Sequence, residues 1–584
     1  MMARKSNNRL FLDDGSNIAI IGGGPAGTFF SYFALDFAKR FGIDINIDII
    51  EQKDFNCAGP EGCNHCGGIV SESLIQILSA EGVVLPSKLI RNGIESYTLH
   101  IEQGTSVIEA PFSEQKIASL YRGIGPKGFS ADGELSFDNY LLELCKNSGA
   151  SVINARAEGM NRVEDGIIIK TSNQNEKKYE LVVGAAGLNN KTLQLFRALC
   201  PSITLPVTTK TYISEFRLGE RLVEKYFGNS MHVFLLHVPN VKFGALIPKG
   251  DYVALVLLGK NINKEIVSDF LSSDAVRKCF PPSVDMNEIK ACQCYPKINT
   301  GGARFAYHDR IVLIGDPSSS KLFKNGIGAA YVTAKAAATT AMFMGISRSD
   351  FHKHYRPVCL DMDRDNRIGK FVFNVTGIVQ KSGIVMPALM KVVADEQRKP
   401  RHQRPISSIL WDTYTGSASY RSILLRCLHP RFIISIVRKI IGKYKISKPK
   451  LFHMKSKALG RRYRDGEMII KQGDVGDCIY VIQEGKVEVF NENHKGEIKI
   501  AELGTNEFFG EMGLFEKDVR SCTIRACGEA KILTIDKRNF YKTIHKDPTL
   551  AYNLLQKMSY RLREINKKLN IDLPITEQSD VTQD

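Results

Sequence analysis

The chain has 584 residues, 43% of them hydrophobic and 24% charged, with a net charge of +17 and thirteen cysteines. Those values describe about three or four folded domains of the usual ~100–200 residues each, and exclude a disordered or a disulfide-stapled chain. No apolar run approaches the roughly 18 residues of a spanning helix, and the start MMARKSNNRLFLDDGSN has no apolar signal segment, so the expectation is a cytoplasmic protein with reduced thiols.

Residues 18–21 (IAII) read as a short buried strand. Gly22-Gly23-Gly24-Pro25-Ala26-Gly27 and the helical stretch TFFSYFALDFAKRF follow, then a second strand, IDINIDII, ending at Glu51. In that order Gly22 permits a tight turn, Gly24 admits a pyrophosphate to the backbone, and Gly27 lets helix and strand pack closely. The helix N-terminus stabilises a diphosphate, and Glu51 is placed to accept from ribose hydroxyls. The reading is dinucleotide binding; the alternative is a glycine turn in a ligand-free α/β domain.

Next comes CAGPEGCNHCGG, with Cys57, Cys63 and Cys66 and with His65 between the last two. By spacing it is half a zinc or iron–sulfur site, which Cys292 and Cys294 would complete. It reads equally as small thiols packing a tight glycine loop. No metal ligand is assigned from it.

Residues 311–316 (IVLIGD) form another apolar strand ending in Gly315 and Asp316, followed by PSSSKLFKNGIGAAYVTAKAAATTA, a glycine turn entering an alanine-rich helix. Here the sequence resembles the p-hydroxybenzoate hydroxylase-like group of FAD oxidoreductases. The resemblance implies that Gly315 and Asp316 meet the ribitol of FAD, with Gly326 and Gly328 at the turn facing the flavin pyrimidine. LVVGAAGLNN (181–190) is similar to the group's third signature, with Ala186 where an Asp is usual. There is no second GxGxxG module, so NAD(P)H would bind transiently or a reduced electron carrier would serve.

Within that group the chain resembles the geranylgeranyl reductase family through HCGGIVSESL (65–74) and FGALIPKGDYVALVLLG (243–259). Pro248, Lys249 and Gly250 are kept, while Phe243 and Ala245 stand where the family favours Tyr and Trp along its substrate tunnel. The resemblance implies a hydrophobic or lipid substrate, reduction of a C=C bond, and Cys66 near the flavin as a catalytic candidate. A flavin monooxygenase of the same fold, or a non-catalytic flavin and nucleotide sensor at the membrane, are the alternatives.

From Arg398 to Arg464 there are eighteen Lys/Arg and one acid, Asp412, so this belt carries essentially all of the net charge of +17. Within it Phe432, Ile433, Ile436, Val437, Ile440 and Ile441 recur at helical spacing, with Arg431, Arg438, Lys439 and Lys443 mostly on the other side. Such a helix either packs its apolar stripe on a domain or lies at an anionic membrane surface, on the inner face. Nucleic acid is disfavoured as the partner.

After residue 460 the texture changes to short β-type runs, with Gly466, Gly473, Gly485 and Gly504 marking turns. FGEMGLFEKDVRSCTIRA (509–526) resembles the phosphate cassette of cyclic-nucleotide-binding domains. A cyclic phosphate needs backbone N–H donors and one fixed cation, and a ribose 2′-OH needs an acceptor. Gly510 lets the backbone approach, Glu511 accepts from the hydroxyl, and Arg520 pairs with the phosphate. Ser521 tilts the reading toward cGMP over cAMP. The alternative is a degenerate β-roll kept for dimerisation. Leu550, Leu554, Met558, Leu562 and Ile565 stand in register on a last helix that caps the base or forms a homodimer seam.

The expected architecture is an α/β FAD-binding Rossmann-like domain with an interleaved β-rich substrate domain, plus a C-terminal β-roll with flanking helices. Residues 15–400 form the oxidoreductase module, 401–458 a basic linker with an amphipathic helix, 459–570 the cyclic-nucleotide domain and 571–584 a tail. The implied function is an FAD-dependent reductase regulated by cAMP or cGMP.

Overall fold

The computed structural model describes residues 10–111, 116–127, 135–441, 459–476, 478–493, 496–511, 519–537, 540, 541, 544 and 549–568. Two compact units emerge: residues 1–72 with 88–459, and residues 73–87 with 460–584.

The first unit is built on a six-stranded sheet. Strand Ser16–Ile21 lies near its centre, parallel to Ile45–Glu51 on one side and to Leu181–Gly184 on the other. Ser151–Asn154 and Ile311–Leu313 extend the parallel set, and Tyr307–His308 closes one edge antiparallel. The central strand is a near-continuous apolar run because both faces are covered. Helices Pro25–Phe41 and Gly326–Thr339 pack together through Phe29, Phe33 and Tyr331. On the other face Ala19, Ile21 and Ile50 meet the antiparallel meander Ala157–Val163, Gly166–Thr171 and Glu176–Tyr179.

A second, seven-stranded sheet runs in the order Lys290–Cys294, Tyr212–Arg217, Tyr252–Gly259, Val241–Lys249, Ser230–Phe234, Ser96–Ile101, Gly104–Glu109. Its two faces carry separate cores. One holds Phe216, Phe234, Leu255 and Phe270; the other holds Tyr97, Val233 and Ala245. The second face is covered by helices Val385–Glu396, Pro405–Thr415 and Tyr420–Cys427. Trp411 is fully buried there, stacked on Tyr97 with ring centroids 5.3 Å apart.

This corrects the expected linker. The stretch from Pro405 to Cys427 is helical core of the first unit, not a connector between modules. Helix Pro430–Ile441 continues it, with Phe432 and Ile436 packed inward. Arg431 and Arg438 share the exposed face with Ile433, Ile434, Val437, Ile440 and Ile441, while Lys439 turns to Asp395. Apolar and basic residues thus lie on one face, not on opposite faces as expected. Lys443 lies outside the described residues. No single described helix is long and apolar enough to cross a membrane.

The second unit is an antiparallel β-roll dominated by two long strands, Cys478–Asn493 and Thr523–Asp536. Arg461–Tyr463 and Met468–Ile470 pair with the latter, Gly496–Leu503 and Phe508–Phe509 with the former. Ile470, Ile482, Val487, Phe509, Ile524 and Ile532 fill its core. Helix Thr549–Lys568 follows. The unexpected member is helix Glu72–Ala80, which from Ser73 onward belongs to this unit, with Gln76 Nε2 donating to the Thr534 carbonyl at 3.0 Å.

Candidate functional site

The parallel strands of the first unit end at a cavity of about 770 Å³, within the range of small-molecule and cofactor sites. Gly22, Gly24, Glu51, Cys66, Gly315, Asp316 and Gly326 line it, so loops distant in sequence converge where the sequence placed a dinucleotide. Gly22 has φ +113, and a Cβ there would come 2.5 Å from the Ala185 carbonyl oxygen, so only glycine fits. Gly27 is off the cavity wall and packs against the Gly22 carbonyl, the close approach its position in the motif requires. Gly328 is also off the wall: its N–H donates to Asn325 Oδ1 at 3.0 Å, capping the helix that Gly326 opens. Gly328 thus serves in the cap of that helix, just beyond the Gly326 that lines the cavity.

Glu51 Oε2 accepts from the Gly23 N–H at 2.7 Å and Oε1 from the Lys53 N–H at 2.9 Å. Both bonds hold the carboxylate at the end of its strand and on the cavity wall. Gly315 donates its N–H to Thr333 Oγ1 at 2.8 Å, tying the Gly-Asp turn to the helix beside it. Burial raises the Asp316 pKa, against the lowering effects of a Ser320 hydrogen bond and of Arg122.

Arg122 is the site residue that motif reading missed. Its Nη2 donates to Asp138 Oδ2 at 2.9 Å, and a Cβ added at Gly24 would lie 3.2 Å from that same nitrogen. Burial opposes its charge most strongly, but Asp138, Cys66 and Asp316 together hold the guanidinium above its ordinary pKa. A fixed cation beside the glycine turn and the helix N-terminus is what a diphosphate requires. Lys53 lines the same end, its Nζ on the Cys63 carbonyl at 2.6 Å, with its pKa lowered by burial. The donor set fits FAD: a glycine cradle for the pyrophosphate, an acid for the ribose, and a second glycine turn at a helix start.

One stretch of the cavity wall is apolar, formed by Met231, Val233, Phe243, Ala245, Ile247, Val256 and Leu258 from the second sheet, while Lys297, Lys321 and Lys324 also line the cavity. Phe243 stacks on Phe373 at 6.0 Å and meets Tyr414 edge-on at 5.3 Å. Cys66 stands on this wall, its Sγ accepting from the Gly68 N–H at 3.4 Å. Lys249 of the Pro-Lys-Gly segment is off the wall, buried with Nζ 3.1 Å from Glu215 Oε1 and over the Tyr121 ring. After burial, Cys63 is among the groups that raise the thiol pKa of both Cys292 and Cys294, so the loop and that strand are neighbours; among the described residues the group whose ligand atoms all lie within 4.8 Å of one another is His100, His232 and Cys279, elsewhere in the molecule.

In the β-roll Gly510 adopts φ +78, and a Cβ there would sit 2.6 Å from Arg520 Nη1. Arg520 is buried, donating to the Gly510 carbonyl at 2.8 Å and the Cys478 carbonyl at 2.9 Å, with its guanidinium 5.6 Å from the Tyr480 ring centroid. Glu511 is buried beside it and is held by Arg561 of the last helix at 2.7 Å. Arg561 also donates to the Phe508 carbonyl. Residues 512–518 of the cassette lie outside the described residues. Ser521 is exposed, as is Leu562 of the expected helical seam; the side chains of Leu550, Leu554 and Ile565 lie outside the described residues.

Comparison with known proteins gives two results of different reach. A geranylgeranyl bacteriochlorophyll reductase-like structure from Thermoplasma acidophilum is similar at 14% identity and a TM-score of 0.49, over 74% of this chain and all of that one. In the second unit, the cyclic AMP receptor protein of Thermus thermophilus is 33% identical over 112 residues, 19% of this chain and 52% of that protein. The cAMP-dependent protein kinase regulatory subunit of Dictyostelium discoideum is 32% identical over 137 residues, 21% of this chain and 40% of that protein. The chain thus spans about half the length of the curated relatives it matches. Residues 460–547 match the cyclic nucleotide-binding domain family, and with the buried Arg520, Glu511 and the glycine at 510 in place, the second unit is a β-roll of that family.

Proposed function

We propose that the first unit is an FAD-dependent oxidoreductase acting on a hydrophobic substrate, a C=C bond of a prenyl or related lipid, and that cAMP bound in the second unit sets its activity. The observation that carries this reading is the two-part cavity: a charged, glycine-lined end that fits a dinucleotide, continuous with a stretch of wall formed by Met231, Val233, Phe243, Ala245, Ile247, Val256 and Leu258. When bound, FAD would supply two-electron redox chemistry. Arg122 and the Gly22–Gly24 turn would hold the diphosphate, Glu51 the ribose, and the turn entering Gly326 would orient the ring. Phe243, Ala245, Val256 and Leu258 exclude water from the substrate side, which strengthens polar interactions there. Cys66, on the same wall, is the candidate proton-bearing group.

Support for regulation comes from chain connectivity. The segment from Cys66 through strand Ile69–Ser71 borders the cavity and runs directly into helix Glu72–Ala80, which from Ser73 is part of the β-roll unit. A shift of that helix between two nucleotide states would act on the cavity wall only to the extent that the nucleotide prefers one state.

The test uses the full chain. Anaerobically reduced protein is mixed with a geranylgeranyl lipid, with and without cAMP, and followed by flavin reoxidation and by mass gain of the lipid. The expected result is two hydrogens added per reoxidation event, at a cAMP-dependent rate. Substrate-linked oxygen uptake would instead favour a monooxygenase. Colourless protein that takes up no added FAD would remove the proposal. Restoring turnover with NAD(P)H or with a reduced carrier protein identifies the donor.

The location is part of this proposal: an anionic membrane surface, met by helix Pro430–Ile441. Ile433, Ile434, Val437, Ile440 and Ile441 are each at least 41% exposed on the face that also carries Arg431 and Arg438. An amphipathic basic helix of this composition partitions to anionic interfaces. Co-sedimentation with vesicles containing phosphatidylserine, weakened by salt and by Ile434→Glu/Val437→Glu, is the expected result. Equal binding to neutral vesicles would reject it.

A further inference from the structure

On the seven-stranded sheet, strand Ser230–Phe234 runs parallel to Ser96–Ile101 with His232 opposite Thr98 and Phe234 opposite His100. An offset of two residues leaves His100 and His232 on the same face as diagonal neighbours. Met231 and Val233, on the alternate face, line the cavity already described, so the histidines sit on the opposite side of the sheet from it. Cys279, just beyond helix Asp274–Arg277, completes a group of three buried side chains.

The distances are those of a ligand set. His100 Nε2 is 3.2 Å from His232 Nδ1, His232 Nδ1 is 3.2 Å from Cys279 Sγ, and Cys279 Sγ is 3.8 Å from His100 Nε2. With metal–nitrogen bonds of about 2.0 Å and metal–sulfur bonds of about 2.3 Å, a central ion separates its ligand atoms by roughly 3.3–3.6 Å. Hydrogen bonding satisfies the same geometry less completely. The thiol has its own acceptor in the Ala275 carbonyl at 3.3 Å, and one shared proton between the imidazoles leaves the sulfur facing both rings. A single cation engages all three atoms at once.

We propose that His100, His232 and Cys279 bind one copper(I) ion. Two imidazoles and a thiolate are donors that suit soft, closed-shell ions. Charge separates the candidates. Among the described residues no charged group outside the three bears on them, His232 feeling only His100, so the ion's charge has only the thiolate to balance it. A monovalent ion with one thiolate is neutral, whereas zinc(II) would leave a net positive charge in a dry pocket, which is costly. The surroundings also discourage the fourth ligand that zinc takes. Phe234 stacks on His100 at 4.5 Å and Phe227 lies 4.9 Å from His232. Binding releases the thiol proton to solvent and forms two Cu–N bonds and one Cu–S bond, with no change of oxidation state.

The experiment uses the full-length chain under anaerobic conditions, with copper(I) supplied as its bicinchoninate complex. One equivalent is expected to be withdrawn from the chelator and to resist dialysis. X-ray absorption at that loading should show one sulfur and two light scatterers, which separates this site from binding by the other twelve cysteines. Cys279→Ser and His232→Phe should each lower retention at least tenfold, with circular dichroism checking that the fold persists. If those variants do not fold, the wild-type absorption spectrum decides alone. No retained copper, a shell of two or more sulfurs, unchanged retention in folded Cys279→Ser, or preferential retention of zinc(II) would each overturn the proposal.

Discussion

Arg561 Nη1 lies 2.7 Å from Glu511 Oε1, so the last helix of the β-roll holds the carboxylate that we propose for a ribose hydroxyl. The pair is partly exposed, at 29% for the arginine side chain and 11% for the glutamate. A pair of that exposure is worth about 0.2–1 kcal/mol. Arg561→Gln should therefore change cAMP affinity by less than about fivefold, while removing much of the nucleotide-induced change in hydrogen exchange across residues 549–568. Retention of the full exchange response in the variant would show that the helix is positioned by something else.

Arg520 is the cation we propose for the cyclic phosphate, and its present partners are the Gly510 and Cys478 carbonyls. A charge-assisted hydrogen bond contributes about 1.5–3 kcal/mol. Arg520→Ala should weaken cAMP binding by roughly ten- to a hundredfold by calorimetry, with flavin content per chain unchanged. Full nucleotide response in this variant would remove regulation from the functional reading.

Arg122 bridges buried Asp138 and the Gly24 turn. Arg122→Lys keeps the charge but loses the planar fork of donors. It should retain the fold and lower FAD affinity about tenfold, read from the visible absorbance remaining after gel filtration. Arg122→Ala would also strand Asp138 without its cation, at a cost of about 3–5 kcal/mol of stability. The lysine variant is therefore the cleaner probe, and unaltered FAD retention in it would dismiss the diphosphate role.

Ala245 lies on the apolar stretch of the cavity wall and is buried. Ala245→Glu puts a carboxylate on the wall where the proposed hydrophobic substrate would lie. The expected result is at least a tenfold fall in kcat/KM toward a prenyl lipid with normal FAD content. Equal activity would place the substrate elsewhere.

Burial pushes the Lys324 pKa down to about 7, with Lys321 adding to the shift. Its Nζ donates to the Asp412 carbonyl at 3.0 Å and sits 4.0 Å from the centre of the Tyr420 ring. An unfolded lysine titrates near 10.4, so between about pH 7 and 10 the unfolded chain holds more protons and stability rises with pH. Below pH 7 the folded state bears the whole penalty of the buried charge. Lys324→Met should be more stable than wild type near pH 6, with the gap narrowing toward pH 10. Parallel melting-temperature curves for the two proteins would show that Lys324 does not titrate in this window.

The glycine-lined end of the first cavity was legible because its pattern is local. A glycine turn between a strand and a helix, and an acid at the end of the next strand, lie within one stretch of 30 residues from Gly22 to Glu51. The β-roll cassette was legible for the same reason, with Gly510, Glu511 and Arg520 eleven residues from end to end. Arg122 carries no motif around it, and its role depends on Asp138 and on the distant Gly24. The basic belt was read as a linker because its charge concealed a buried apolar set, Ile406, Ile409, Trp411, Tyr414, Tyr420 and Ile423.

Local order along the chain was enough to mark two glycine turns of the kind that cradle phosphates, because backbone turns and helix starts are set by near neighbours. Tertiary structure decided which groups surround them. The pairing of strands 96–101 and 230–234 brings two histidines 132 residues apart within 3.2 Å. Burial of the 405–427 helices and assignment of residues 73–87 to the β-roll unit likewise depend on apolar surfaces finding each other across long sequence separations. Hydrophobic burial is non-directional, so no local pattern announces which distant partner will cover it.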